Sequence, residues 1–318
     1  MTRVLVTGAA GFIGSHLCEA LVARGDEVVG IDNFDPFYPR GDKERNLTRL
    51  RASRGFRFQE LDILNAAGLA ALLTPDTVLV HLAARPGVRP SLADPAGYAR
   101  VNVEGTTALL AAARDRQATR VVVGSSSSVY GDDTPAPFRE DATAVQPLSP
   151  YAASKRAGEL MLSSLAPICG FRAAALRFFT VYGPRQRPDL AIHAFARRIL
   201  AGEVITLFGD GSQSRDYTYC DDTVAGVIAA VDWTEGASVG SEAFNLGGSQ
   251  PVTLRDMVSQ LSRALGVEAK VEWAPMQPGD VQHTYADLDK SSRMLGYHPR
   301  VAFAEGLRRF ASWLKEPR

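Results

Sequence analysis

Cysteine is scarce in this chain: Cys18, Cys169 and Cys220 are the three among 318 residues. They are odd in number and far apart, which supports neither a disulfide framework nor the close spacing of a zinc motif and fits reduced thiols. No apolar run approaches the roughly 20 residues that a membrane-spanning helix needs. Charge of one sign is not in excess either. Lys plus Arg and Asp plus Glu number 35 each, so neither nucleic acid nor an anionic membrane surface is an expected partner. The first residues, Met1 to Gly8, run straight into a strand pattern without a basic and then apolar leader,. These absences point to a soluble cytoplasmic protein. With 46% hydrophobic and 22% charged residues, the composition is that of a globular chain long enough for one large domain or two intimate ones.

What is present starts at the N-terminus. A β-branched run, Arg3 to Val6, leads into Thr7-Gly8-Ala9-Ala10-Gly11-Phe12-Ile13-Gly14. A helical pattern opens at Ser15, and a second strand closes on Val28-Val29-Gly30-Ile31-Asp32. Glycines at 8, 11 and 14 let the backbone approach a pyrophosphate and let the helix pack close to the sheet. The helix N-terminus then offers its free N–H groups and positive dipole end to the phosphates. Asp32 at the end of the second strand can accept both ribose hydroxyls of NAD and would repel the 2′-phosphate of NADP.

The next stretch, 33–46, is rich in aromatics and prolines. It reads as a loop around the adenosine end of the cofactor, starting with Asn33. A third strand covers 56–61, with Asp62 and Ile63 just after it, where an adenine amino group is met. A fourth strand, 77–82, ends at Leu82 and leads into Ala83-Ala84, whose small side chains leave room for a nicotinamide ribose. His81 inside that strand reads as a satisfied core residue. A helix spans about 95–116 with Asn102 on its inner side. The fifth strand, 120–124, runs into Ser125-Ser126-Ser127-Ser128, at the strand end where ligands bind in a doubly wound sheet,. This alternation predicts an α/β fold, a Rossmann-type parallel sheet with helices on both faces and a smaller mixed α/β unit after it.

Pro150-Tyr151-Ala152-Ala153-Ser154-Lys155 opens a long predicted helix. Tyr151 and Lys155 are four apart and share a face. A phenol ionises near pH 10, and an ammonium one turn away lowers that value, so the pair can exchange a proton with a substrate hydroxyl if an oxidant is near. The spacing alone recurs by chance; its flanks give it meaning.

Together, the glycine-rich turn, the serine-rich strand end and the Tyr151–Lys155 pair resemble the extended short-chain dehydrogenase/reductase superfamily, in its nucleotide-sugar branch. That resemblance implies a tightly held NAD, Tyr151 as base, Lys155 on the nicotinamide ribose and Ser126 bonded to the reacting hydroxyl. It also implies that Gly8, Gly11, Phe12, Ile13, Gly14, Asp32, Asn33, Asp62, Ile63, Leu82, Ala83, Ala84 and Phe178 contact the cofactor. Leu176 to Asp189, which follows a sixth strand, resembles the epimerases of this branch. So do Ile205 to Gly211, Arg215-Asp216-Tyr217 and Gln277-Pro278-Gly279-Asp280. Thr206 and Phe208 would then hold the uridine, Arg215 the diphosphate and Asp280 the uridine ribose.

Phe179-Thr180, Arg185 to Asp189 and Met276 to Asp280 look like UDP-glucuronate 4-epimerases. UDP-glucose 4-epimerases usually carry Asn where Thr180 stands, and the related signature often has Arg where Gln277 stands. Ser127, Ser128, Thr180 and Arg187 are the candidates for the glucuronate carboxylate. Arg187 could equally meet phosphate, since a guanidinium suits both anions. The implied reaction is reversible C4 epimerisation to UDP-galacturonate through a 4-keto sugar. A UDP-glucose 4-epimerase is the alternative. A decarboxylase is disfavoured because those enzymes carry Glu at the position of Ser128, and a redox-inactive NAD-binding protein need not keep the catalytic trio. The expected layout is a dinucleotide-binding domain over 1–177 with a returning segment near 217–248. A UDP-sugar-binding domain over 178–318 is interleaved with it, and a homodimer is expected.

Overall fold

The computed structural model describes residues 1–132, 134–142, 146–275 and 282–316. Twelve strands lie among them. In chain order they are β1 Arg3–Thr7, β2 Glu27–Asp32, β3 Phe56–Glu60, β4 Thr77–His81, β5 Arg120–Ser126, β6 Arg172–Phe178, β7 Thr180–Tyr182, β8 Val204–Phe208, β9 Ser214–Tyr219, β10 Gly240–Leu246, β11 Pro251–Thr253 and β12 Lys270–Ala274. The α-helices are α1 Phe12–Arg24, α2 Arg40–Arg51, α3 Ala66–Leu72, α4 Val88–Ala93, α5 Pro95–Ala99, α6 Gly105–Asp115, α7 Pro150–Cys169, α8 Ala191–Leu200, α9 Cys220–Gly236, α10 Leu254–Leu265, α11 Asp289–Leu295 and α12 Phe303–Lys315.

Seven strands form one parallel sheet in the order β10-β6-β5-β4-β1-β2-β3. The period-two alternation of a sheet buried on both faces is visible in its residues. Val4, Val6, Val78, Val80 and Val122 pack on one side with Leu17 and Leu21 of α1 and Val227 and Val231 of α9. Leu5, Leu79, Val121 and Val123 face the other side, against Leu109, Leu110 and Leu162. Strand order reverses between β1 and β4, whose last residues Thr7 and His81 are directly paired. A crevice therefore opens beyond their carboxyl ends, where a doubly wound sheet takes its ligand.

Two short sheets, β11-β9-β7 and β12-β8, build the smaller unit. Its core gathers Ile192, Ile199, Leu207, Met257, Leu261, Leu307 and Phe310, and Phe12 from the start of α1 joins it. Asp216, wholly buried, accepts the backbone N–H groups of Gly248, Ser249 and Ala286. It ties the exit of β10 to β9.

Three local readings need correction. The stretch read as a loop over 33–46 contains the start of α2, because Lys43, Leu47 and Leu50 fall on one buried face although the helix is otherwise polar. Leu176, Arg177 and Phe178 belong to β6 and do not follow it. The helix expected over 95–116 is interrupted by a π-helical turn, Arg100–Glu104, between α5 and α6. Such a turn accommodates one extra residue, and Asn102 is buried within it.

Phe310 is fully buried and packs against His193 and Trp313. Phe310→Ala should lower the stability of the smaller unit by about 3–5 kcal/mol, read as a shift in the denaturant midpoint.

Candidate active site

Gly8 has a φ of +73°, and a Cβ there would lie 2.9 Å from the Ala83 nitrogen. A Cβ on Gly14 would sit 2.1 Å from the Gly8 carbonyl oxygen. The turn therefore lies flat against both the end of β4 and the first turn of α1, and α1 presents its free N–H groups to the crevice. The wall behind it is a relay of buried hydroxyls. Thr106 Oγ1 donates to the Asn102 carbonyl at 2.6 Å, so His81 Nε2, 2.9 Å away, is the donor to Thr106. His81 Nδ1 then accepts from Thr7 Oγ1 at 2.7 Å, and that oxygen accepts the N–H groups of Leu82 and Ala83. Burial and the Lys155 charge push His81 down to about 3. It is a neutral core residue that shapes the strand end.

Asp32 Oδ1 accepts the Phe34 N–H at 2.8 Å and Oδ2 the Ala10 N–H at 3.3 Å, with Lys43 Nζ 3.6 Å away. Asn102 Nδ2 donates to the Arg85 carbonyl and to Ser154 Oγ, linking the π-helical turn to α7. Its Oδ1 accepts the Arg85 N–H.

At the end of β5, Ser126 caps a single 3₁₀ turn, Ser127–Tyr130. Its Oγ accepts from the Ser128 N–H at 3.2 Å and the Ser128 hydroxyl at 2.9 Å. Ser149 caps α7, accepting the Ala152 N–H at 3.1 Å, so Tyr151 projects from the first turn. Burial raises the Tyr151 phenol above its usual value, while a hydrogen bond with Ser126 and the Arg187 charge act the other way. Lys155 Nζ donates to the Gly124 carbonyl at 2.8 Å, which offsets part of the cost of enclosing the ammonium. Burial brings it down to about 8, with Glu159 opposing.

Every residue expected at the cofactor except Asp62 lines one cleft, open at its mouth. Asp62 stands behind Asn33, which donates to it at 2.9 Å, and it also holds the Leu64 N–H. Arg187 lines the cleft too. Its guanidinium is paired with Asp189 at 3.0 and 2.9 Å and lies over the Phe37 ring. The loop that presents it is docked on α1, Arg185 being bidentate to Glu19 and His16 Nε2 lying 2.9 Å from the Pro184 carbonyl.

The uridine-diphosphate set is not gathered in this cleft. Thr206 Oγ1 donates to Glu272 at 2.5 Å, and Arg215 donates to the carbonyls of Ser214 and Gln282. Phe208 lies under Arg89 at 5.8 Å, just beyond the cleft-lining Arg85 and Pro86. Thr180 is half-buried and pairs with Tyr217 across β7 and β9. Asp280 falls outside the described residues, as does the rest of the 276–281 stretch. Lys43, Tyr38 and Arg85 line the cleft without having been singled out. The one available signal was Lys43 sharing the spacing of Leu47 and Leu50.

Below the cleft, Glu159 binds Arg177 in two hydrogen bonds of 2.9 Å, Ser125 Oγ at 2.6 Å and Arg156 at 2.7 Å. Glu159→Ala leaves a buried guanidinium unpaired and should cost about 3–5 kcal/mol of folding free energy, measurable by chemical denaturation. A loss below about 1 kcal/mol would mean that α7 is seated by other contacts.

The profile of the NAD dependent epimerase/dehydratase family matches residues 4–247. A UDP-glucuronate 4-epimerase of Thermodesulfobacterium geofontis is 39% identical, the match covering 99% of this chain and 97% of that one. The crystal structure of the Bacillus cereus UDP-glucuronic acid 4-epimerase in complex with UDP-glucuronic acid and NAD superposes with a TM-score of 0.93 at 39% identity, covering 99% of each chain. The UDP-glucose 4-epimerase of Thermotoga maritima with UDP-glucose gives 0.88 at 29% identity, over 99% of each chain.

Proposed function

Because the chain belongs to the NAD dependent epimerase/dehydratase family, we propose that it interconverts UDP-glucuronate and UDP-galacturonate by reversible epimerisation at C4. One observation carries this reading. Tyr151 and Lys155, with Ser126 beside the phenol, stand on the wall of the cleft that the glycine-rich turn opens, and Arg187 reaches the same wall. The residues fit NAD. The close approach at Gly8 and Gly14 leaves backbone N–H groups bare for a pyrophosphate, and Asp32 waits at the end of β2 for ribose hydroxyls,. Bound NAD supplies the hydride acceptor for C4 and, once reduced, the donor.

Tyr151 takes the proton of the C4 hydroxyl and returns it on the epimer. Ser126 orients that hydroxyl, and Lys155 holds the nicotinamide ribose. Since burial favours the neutral phenol, the phenolate needs positive charge nearby; Arg187 and the Ser126 hydrogen bond act in that direction,. Thr206, Phe208, Arg215 and Asp280 would bind the uridine diphosphate and retain the 4-keto sugar while it turns. Ser127, Ser128, Thr180 and Arg187 would receive the C6 carboxylate. The position of Arg187 on the wall near Tyr151, apart from Arg215, favours the carboxylate over the diphosphate. The reading includes the two interleaved units, 1–177 with 217–248 and 178–318, a cytoplasmic location and a homodimer. Leu160 and Ile168 of α7, exposed at 54% and 78%, offer apolar surface for the last.

Incubating the purified protein with UDP-glucuronate and UDP-glucose side by side tests the reading: the uronate should epimerise much faster, and carbon dioxide should not accumulate. Tyr151→Phe should slow turnover by about 10²–10⁴-fold while UDP binding by calorimetry is unchanged. A wild-type rate would remove Tyr151 from the chemistry. Arg187→Ala should cost about 2–5 kcal/mol of transition-state stabilisation on UDP-glucuronate beyond any loss on UDP-glucose. Equal losses on both sugars would remove Arg187 from the specificity argument and leave the hydroxyl cluster to carry it.

A further inference from the structure

Helix α1 presents a second functional face away from the glycine-rich turn. His16 on that face meets Cys220 and Asp221, the first two residues of α9, and one ligand atom from each lies within 4.8 Å of the others. We propose that these three side chains bind a thiophilic divalent cation, Zn²⁺, through His16 Nδ1, Cys220 Sγ and Asp221 Oδ1, with water as the fourth ligand. The residues are too far apart in the chain for any spacing motif to display them; only the packing of α1 against α9 brings them together.

The tautomer of His16 is already the one required. Its Nε2 lies 2.9 Å from the Pro184 carbonyl, which can only accept, so the proton is on Nε2 and the Nδ1 lone pair is left for a ligand. Metal-bound imidazoles are commonly oriented by such a second bond to a carbonyl. Cys220 Sγ and Asp221 Oδ1 are 3.5 Å apart. Two ligands on a tetrahedral zinc with bonds of about 2.0–2.3 Å stand about 3.3–3.8 Å from each other, so that pair already has the required spacing, and the imidazole, within 4.8 Å of both, would have to close on it. A Cβ at residue 183 would lie 2.5 Å from the sulfur. Gly183 therefore lets the loop backbone that carries Pro184 pack directly against the thiol.

The charges also suit a dication. A thiolate and a carboxylate neutralise it. The nearby cations are engaged elsewhere: Arg185 is bidentate to Glu19, and Arg309 faces Asp221 Oδ2, away from the oxygen on the sulfur side, while donating to Glu305. Asp221 is exposed and gives the ion a path from solvent. Without an ion, burial and the adjacent Asp221 keep the Cys220 thiol protonated. Burial and Arg185 keep His16 neutral. Binding therefore replaces the S–H bond with a Zn–S bond and releases one proton to solvent, with no redox change. The ion would join α1 to α9 and, through Pro184, brace the loop that carries Arg187.

The test uses the full chain as purified, with any resident nucleotide, after treatment with a chelator. Titration with Co²⁺ should give a thiolate-to-metal charge-transfer band and the visible bands of a tetrahedral site, saturating at one equivalent and displaced by Zn²⁺. Calorimetry with Zn²⁺ in two buffers should show about one proton released per ion. Cys220→Ser should abolish the charge-transfer band and weaken Zn²⁺ binding about 100-fold, His16→Gln should weaken it as well, and Cys169→Ser should change neither. If Cys220→Ser does not fold, His16→Gln and Asp221→Asn decide, because each removes one proposed ligand and should weaken Zn²⁺ binding while leaving all three thiols in place. No band at one equivalent, or a band that survives in Cys220→Ser, overturns the site.

Discussion

A single buried carboxylate fixes where the reactive helix sits. Glu159 is 6% exposed, yet it receives the Arg177 fork from β6, the Ser125 hydroxyl from β5 and Arg156 from its own helix. Taking such charges out of water is favourable only when every lone pair finds a donor. That condition constrains the azimuth of α7 against two strands at once. Tyr151 and Lys155 lie two turns and one turn N-terminal of Glu159, so the knot sets both of them over the end of β5. The same arginine stacks on the Tyr130 ring, and Tyr130 reaches Asn245 of β10 at 2.6 Å. The strand added last to the sheet is thus coupled to the helix that carries the chemistry.

Burial and ionisation pull against each other in this cleft. The enclosure that excludes water from a reacting hydroxyl also makes a phenolate costly, and it lowers Lys155 to about 8. The fold answers with hydrogen bonds to the polar groups and with charge at a distance. Lys155 is held by the Gly124 carbonyl, and Glu159 favours its charged form. The cation acting directly on the phenol is Arg187, which comes from the loop after β7. In the proposed reading, acid–base readiness and substrate recognition would share one guanidinium, which rests paired with Asp189.

The parallel sheet and the cofactor turn were legible because local signals and tertiary structure agree there. β-branched runs become buried strands, and glycines stand where a Cβ would strike backbone. The 40–51 helix was hidden, since four buried positions, two of them the polar Lys43 and Asn46, do not outweigh a preceding run of Pro and Phe. The π-helical turn has no residue signature at all; it follows from Asn102 being drawn to Arg85 and Ser154. Electrostatics was the least legible layer. Sequence spacing placed Lys155 beside Tyr151 on one helix face, but the partner of a buried ammonium is chosen by the strand opposite. Likewise, Asp62 was expected at the cofactor and stands just behind the cleft lining, where Asn33 and the Leu64 backbone each donate to one of its oxygens.

A uronate substrate adds a hazard that the arrangement of acids addresses. With a carbonyl at C4 and a carboxylate on C5, the transient sugar is a β-keto acid, and alignment of the C5–C6 bond with the carbonyl π system would release carbon dioxide. A proton shuttle at C5 would open a further side path. Among the described residues that line the cleft, the carboxylates are Asp32, the last residue of β2, and Asp35 in the loop after it, and both are engaged by backbone N–H groups. On the helix that carries Tyr151, Glu159 is held by Arg177, Ser125 and Arg156 beneath the wall, and Asp189 is paired with Arg187. The side chains after Ser126 are hydroxyls, with Ser128 turned toward Ser126. In the proposed reading Tyr151 is the proton-transfer group at C4, and the described residues after Ser126 would offer C5 only hydroxyls. A hydrogen-bonded clamp on the C6 carboxylate would complete this control by holding the C5–C6 bond out of line, so binding the carboxylate and protecting it are the same interaction.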